Sequence, residues 1–143
     1  MDLPDLKTDP KYGHYPWWPE DGDGWLHPED VAAARGMIPG PRIFRRDGEQ
    51  GPLVVLHYGA VRLRVMRTLW QEVAWEGFDL GDWVEVLPRG MQNTPRTGTV
   101  REMHWDSHAR AIRYFIDEAG QPIATAYEAA DLKRVDPTPP LAP

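Results

Sequence analysis

Apolar and polar residues alternate in short runs through the second half of the chain, and turn residues separate the runs from Phe78 to Val135. A period of two is typical of strands that bury one face, and Gly, Pro and Asp at the breaks are typical of tight turns. The pattern predicts a helical turn at 129–132 and five short strands, at residues 84–87, 99–105, 111–116, 123–127 and 133–135. We therefore expect a compact antiparallel β-unit in this half.

The first half is patterned less regularly and predicts a smaller β-unit. Asp47-Gly48 and Tyr58-Gly59 predict turns, the second of them within a hairpin. Alternating residues predict strands at 42–46, 53–57 and 60–66, and a turn with a short strand within 68–73. The strand at 60–66 alternates apolar residues with arginines, which predicts an apolar face towards the core and a row of arginines on the other side.

A short helix is predicted between Pro28 and Arg35. Proline suits the first turn of a helix, and Glu29 and Asp30 favour its positive end. Gly36 provides a stop after the arginine. We expect about two helical turns here.

The segment 12–25, here called the Trp-rich segment, carries three of the seven tryptophans. Its prolines and glycines predict a loop with no regular helix or strand. Because burial of so much aromatic area stabilises a fold strongly, we expect this segment to pack across the body of the protein. The alternative is that one of its tryptophans stays exposed for a partner.

These patterns predict a mainly β protein in four parts. A flexible tail at 1–11 precedes an N-terminal unit at 12–76, which holds the Trp-rich segment and the short helix. The larger β-unit follows at 78–136. The last residues, 137–143, include four prolines and predict a disordered tail.

Turn placement in the second half resembles that of an SH3-like small barrel of the Tudor or KOW type, over about 80–135. The resemblance rests on Gly81-Asp82-x-Val84-x-Val86, then Gly98-x-Val100 and a hairpin, and a closing Asp131-Leu132-x-x-Val135. It implies an SH3-like barrel in the C-terminal half and no particular activity. Leu69-x-x-x-Val73 ends the first half much as Leu132-x-x-Val135 ends the second, so two related small barrels are a second possibility.

The opening of the chain is similar to that of an uncharacterised bacterial family. The residues that carry this resemblance are Tyr15-Pro-Trp-Trp-Pro and, further on, Trp25-x-His27-Pro28. The resemblance implies a bacterial protein and brings no function with it.

Charge is distributed unevenly over the chain, whose net charge is −6. Residues 1–30 carry eight acids against Lys7 and Lys11, and seven arginines lie between Arg35 and Arg67. We expect the acidic and the arginine-rich segments to pair with each other. The overall acidity disfavours generic nucleic-acid binding.

The composition also excludes several classes of protein. Cysteine is absent, so disulfides, thiol catalysis and zinc bound by cysteine are excluded. No apolar run approaches the ~20 residues of a membrane span, and the N-terminus does not have the pattern of a signal peptide. We expect a cytoplasmic protein without a cofactor.

His104 and His108 have the spacing that binds zinc on one face of a helix, but the pattern places them on a strand end and a turn. Ser107, the only serine, lies between them beside Asp106, yet neighbours in a tight turn rarely converge as a triad. A small metal-dependent hydrolase is therefore one alternative function.

The favoured hypothesis is a non-catalytic module that binds a protein or peptide partner. Small barrels bind such partners through aromatic residues beside the loop after the first strand, here residues 88–96. The candidate partner-binding residues are Trp17, Trp18, Trp25, Trp83, Arg96 and Trp105. A second alternative is single-stranded nucleic acid, bound through an arginine row beside aromatic residues, with Tyr58, Arg62, Arg64, Arg67, Arg89, Arg96 and Arg101 as candidates.

Overall fold

A computed structural model describes residues 11–88 and 96–135 of the chain. The chain divides between Trp75 and Glu76 into two compact units. Strands dominate both units, and one short α-helix lies in the first, which confirms the expected mainly β class. In the described part of the chain, no helix has the length and apolar character needed to cross a membrane.

The first unit contains five antiparallel strands. They are β1 (Lys11–Tyr15), β2 (Gly40–Gln50), β3 (Leu53–Tyr58), β4 (Val61–Met66) and β5 (Gln71–Val73). Their pairing gives the order β5-β1-β2-β3-β4. Two 3-10 turns (Gly22–Trp25 and Pro28–Asp30) and α1 (Val31–Arg35) connect β1 to β2.

The core of the first unit follows from alternation along its strands. In β3, every second residue is buried, and Leu56 faces Leu63 of β4 across the hairpin. Val54 and Val65 form the next buried pair. Because side chains on a strand alternate between faces, these pairs lie on one side of the sheet and exclude water from it.

The second unit also contains five antiparallel strands. They are β6 (Trp83–Val86), β7 (Arg96–Asp106), β8 (Ala111–Glu118), β9 (Gln121–Tyr127) and β10 (Leu132–Arg134), with a 3-10 turn at Ala129–Asp131. The order is β10-β6-β7-β8-β9. All five strands predicted for this half are therefore confirmed, and its core contains Val84, Val100, Met103, Tyr114 and Ile116.

The two units have the same strand order. In each, the first strand lies between the second and the last, and the second strand is 11 residues long. A register shift interrupts each long strand, between Arg46 and Gly48 in β2 and between Val100 and Glu102 in β7. Such a shift bends a strand and increases its twist. The two parts of the bent strand can then pair with different neighbours, β1 and β3 for β2, and β6 and β8 for β7.

Two predictions about the first half are wrong in detail. Asp47-Gly48 is not a turn but part of the irregularity inside β2, and the chain reverses instead at Gly51, where φ is +62°. The Trp-rich segment is not irregular throughout, because residues 12–15 belong to β1. Gly13 made this stretch look like a loop, but the absence of a side chain there makes room for the ring of Trp70.

The other local predictions hold more closely. Pro28 begins the helical segment, and its last residue, Arg35, is followed by Gly36 as predicted. The hairpin of β3 and β4 is confirmed. The predicted tails lie outside the described residues, except that Lys11 is the first residue of β1.

Candidate functional site

Four aromatic rings of the first unit contact one another in a row, here called the aromatic ladder: Tyr15, Trp18, Trp25 and Trp70. Ring centroids lie 5.6 Å apart for Trp70 and Tyr15, 5.5 Å for Tyr15 and Trp18, and 5.8 Å for Trp18 and Trp25. The last two contacts are edge-to-face, which is the arrangement that the ring quadrupoles favour. The ladder holds the Trp-rich segment on the sheet.

Tyr15 fixes the ladder to the sheet. Its ring is fully buried, and its hydroxyl donates a hydrogen bond to the carbonyl oxygen of Met66 at 2.9 Å. Burial raises the pKa of the Tyr15 hydroxyl well above its usual range, so the phenol stays protonated and remains a donor.

Two glycines allow the indole rings of Trp70 and Trp18 to pack against the backbone. A Cβ atom at Gly13 would collide with the ring of Trp70, and one at Gly22 would collide with the ring of Trp18. Each ring therefore packs directly on the backbone, closer to the chain than a residue with a side chain at Gly13 or Gly22 would allow.

Trp17 differs from its neighbours, because 60% of its surface is exposed. The adjacent Trp18 is half-buried in the ladder. Trp75, near the end of the first unit, is 40% exposed, but its ring is stacked on Tyr12 with centroids 6.2 Å apart. Trp17 is thus the most exposed large apolar residue among the described residues.

A cleft of about 220 Å³ lies beside the ladder. Trp18 forms part of its wall, and α1 contributes Ala34 and Arg35. The guanidinium of Arg35 is ion-paired with the carboxylate of Asp23, with Nη2 and Oδ2 2.5 Å apart. The complete lining is Trp18, Glu20, Asp23, Leu26, Ala34, Arg35 and Ile38, so it combines an aromatic ring, apolar residues, two carboxylates and one guanidinium.

Residues 26–30, which follow the Trp-rich segment, are attached to the edge strand β4. Leu26 forms a bridge with Val65, and the amide of His27 donates to the carbonyl oxygen of Arg64 at 2.9 Å. The carboxylate of Asp30 accepts from the Arg64 amide at 2.8 Å and from its guanidinium Nε at 2.9 Å. The Arg64 guanidinium lowers the pKa of the Asp30 carboxyl below its usual range, which keeps the carboxylate charged although Asp30 is buried.

The arginine row predicted on β4 is largely neutralised by acids. Arg64 pairs with Asp30 and also with Glu29, whose Oε1 lies 3.0 Å from Nη2. Arg67 pairs with Glu49 at 2.9 Å, and the same carboxylate pairs with Arg46. Pairing between the acidic and arginine-rich segments was expected from the sequence, and it holds for Arg64 and for Arg35, which pairs with Asp23. Arg89 lies outside the described residues.

The second unit does not bring its three candidate residues together on one face. Trp83, 41% exposed, stands opposite Thr99 on β7, whereas Arg96 stands opposite the buried Val86. Trp83 and Val86 are three residues apart on β6, so their side chains point to opposite faces of the sheet. Arg96 shares the face of its partner Val86, and Trp83 therefore lies on the other face. Arg96 pairs with Glu118 at 3.1 Å. Trp105 is half-buried opposite Ile112, a core residue.

The two histidines considered for catalysis are in different environments. His104 lies on β7, with Nε2 2.7 Å from a Glu102 carboxylate oxygen and its ring against Phe115. His108 lies in the following turn, where its amide donates to Asp106 at 3.0 Å. Amide donors and Arg113 lower the pKa of the Asp106 carboxyl, which is typical of a carboxylate that stabilises a turn. Within residues 11–88 and 96–135, no three His, Cys, Asp or Glu side chains are arranged to hold a metal ion.

Sequence reasoning identified the Trp-rich segment but missed part of the site. Glu20, Asp23 and Arg35 line the cleft, and Trp70 completes the ladder from a distant part of the chain. In the sequence, Glu20 and Asp23 stand out only as two of the eight acids of residues 1–30. Gly22 was the available signal, because a glycine beside tryptophans indicates close packing of a ring on the backbone.

The model of a family of unknown function, DUF6960, matches residues 3–133, so the chain belongs to that family. This confirms the expected membership of an uncharacterised family, whereas its bacterial origin stays a prediction. No curated protein and no solved structure matches the chain.

Proposed function

We propose that this member of a family of unknown function is a non-catalytic interaction module that binds a protein or peptide partner, with Trp17 at the centre of the contact. The observation that carries the proposal is the 60% exposure of Trp17. Exposed tryptophan is unfavourable in water, and tryptophan is among the residues that contribute most to protein interfaces. A partner that covers Trp17 would remove this apolar surface from water.

The aromatic ladder supports the proposal because it fixes the backbone that carries Trp17. Trp18, the next residue, packs on Gly22 and contacts two rings of the ladder. A contact residue held on a rigid segment loses less conformational entropy on binding than one on a mobile loop. On this view Trp18 and Trp25 act as the support, and Trp17 makes the contact.

We also propose that both units are SH3-like. Supporting observations are the shared strand order, the long and bent second strand in each unit, and a short turn before each last strand. Because this fold serves many functions, the surface and not the fold carries the functional argument. In the second unit, Trp83 is the candidate for a further contact, and Arg96 and Trp105 stay predictions.

Ion pairing favours a protein partner over single-stranded nucleic acid. The arginines that would contact phosphates include Arg64 and Arg67, and both already pair with carboxylates. Phosphate binding would have to replace these pairs in a chain with a net charge of −6.

Affinity capture followed by a binding measurement tests the proposal. A protein captured by the wild type is purified, and its Kd is measured with the wild type, with Trp17→Ala, and with Trp75→Ala as a control for another exposed tryptophan of the same unit. We expect Trp17→Ala to weaken binding by about 30-fold, as for an interface residue that contributes about 2 kcal/mol, and Trp75→Ala to change it little. Equal Kd values for wild type and Trp17→Ala would refute the proposal.

A further inference from the structure

The cleft beside the aromatic ladder combines the features that an arginine side chain requires. Its lining includes Trp18, the acidic residues Glu20 and Asp23, and the apolar residues Leu26, Ala34 and Ile38. Guanidinium groups stack on indole rings and form paired hydrogen bonds with carboxylates, while the methylene stem of arginine lies against apolar surface. From this lining we infer that the cleft receives an arginine side chain of the protein partner, an inference that rests on the proposed function.

The chain itself shows that a guanidinium fits at this position. Arg35 is one of the lining residues and pairs with Asp23 at 2.5 Å. Both side chains are more than half exposed, so the pair is weak and can exchange with another guanidinium. Arg35 therefore competes with an incoming arginine for Asp23, and Glu20 provides a second carboxylate for that arginine.

The charge of the cleft selects the class of ligand. Two carboxylates against one guanidinium leave a negative lining, which attracts a cation and repels phosphate groups. An arginine is favoured over a lysine, because a planar guanidinium can stack on Trp18 while it hydrogen-bonds to a carboxylate, and an ammonium is a compact point charge.

NMR of the indole groups tests this inference with a small probe, N-acetyl-arginine methylamide. The Trp18 indole N–H signal is assigned by comparison with Trp18→Phe and is followed as the full-length chain is titrated with the probe. We expect a saturable shift at millimolar probe and none with the neutral citrulline analogue, and binding weakens as salt is added. A shift equal for both compounds, or no saturable shift, would overturn the inference.

Variants with opposite expected effects strengthen the test. Glu20→Gln should weaken probe binding by about fivefold or more, whereas Arg35→Gln should strengthen it by releasing Asp23. Asp21→Asn is the matched control, because it removes one charge from the same exposed turn but does not line the cleft. If Glu20→Gln and Asp21→Asn change binding equally, only the general charge matters and the inference is wrong.

Failure of the inference can be distinguished from failure of the proposed function. Trp17 does not line the cleft, so Trp17→Ala should bind the arginine probe like the wild type. Loss of partner binding in Trp17→Ala together with a cleft that ignores the probe would refute only the arginine site. If the cleft binds the probe but the partner binds Trp17→Ala as tightly as it binds the wild type, only the proposed function is refuted.

Discussion

The carboxylate of Asp30 holds the edge strand through both the amide and the guanidinium of Arg64. Oδ2 accepts from the backbone amide at 2.8 Å and from Nε at 2.9 Å, and Oδ1 accepts from Nη2 at 3.1 Å. Both side chains are only 12% exposed. One acid thus neutralises the arginine and satisfies an amide of β4, and so fixes the segment that follows the Trp-rich segment.

Loss of the Asp30 carboxylate should destabilise the fold. Asp30→Ala leaves the guanidinium and the Arg64 amide without this acceptor, and hydrogen bonds to charged groups contribute about 1.5–3 kcal/mol. We expect the free energy of unfolding, from urea titration followed by tryptophan fluorescence, to fall by about 2 kcal/mol. Glu29→Ala is the control, since this exposed residue should cost less than about 1 kcal/mol. Equal losses would contradict the assignment.

The same carboxylate predicts a dependence of stability on acid. The pKa of Asp30 is lower in the folded state than its ordinary value, so its contribution is fully present above about pH 4 and is lost as the pH falls through the folded pKa. The difference in unfolding free energy between the wild type and Asp30→Asn should therefore be largest at neutral pH and shrink towards pH 3. A difference that stays constant would show that the charge of Asp30 is not involved.

His14 predicts a second dependence of stability on pH, this time from a basic group. Its ring is buried in β1, and desolvation lowers its pKa below the ordinary value of about 6.5. Protonation then favours the unfolded state, so stability is complete above about pH 6.5 and declines as the pH falls below it. His14→Gln should remove this decline between pH 7.5 and 5.5, in urea titrations at each pH. Parallel declines in both proteins would assign the effect to another group.

Gly22 and Gly24 form a matched pair for testing the packing of the ladder. A Cβ atom at Gly22 would collide with Trp18, whereas at Gly24 it would meet no atom of the described residues within 4 Å. Gly22→Ala should cost about 1–3 kcal/mol, the usual effect of overpacking, and should change the near-ultraviolet circular dichroism of the tryptophans. Gly24→Ala should leave both unchanged. Similar effects of the two substitutions would argue against the seating of Trp18 on Gly22.

Regular alternation made most strands predictable from the sequence. In the second unit, Val84 and Val86 flank Glu85 and are both buried, and such a period of two is sufficient to locate strands. Strand β1 was missed because Gly13 and the nearby prolines are typical of loops. Asp47-Gly48 was misassigned because the residues that favour turns also favour irregularities within a strand.

The site was less predictable because its parts meet only in the folded chain. The sequence indicated the concentration of tryptophans, but not that Trp70 would contact Tyr15 from 55 residues away. Nor did it separate Trp17 from Trp18, since adjacent identical residues differ only in the side of the backbone that each ring takes. Tertiary contacts decide that difference, and no local pattern records it.

Trp17 lies beside the packed aromatic ladder but is not part of it. Unfolding measurements on variants of the adjacent residues Trp17 and Trp18 test this central claim directly. Urea titration of the wild type, Trp17→Ala and Trp18→Ala gives the free energy of unfolding of each. We predict a change within about 0.5 kcal/mol for the exposed Trp17 and a loss of about 2 kcal/mol or more for Trp18. Equal losses would place Trp17 in the core and contradict the account.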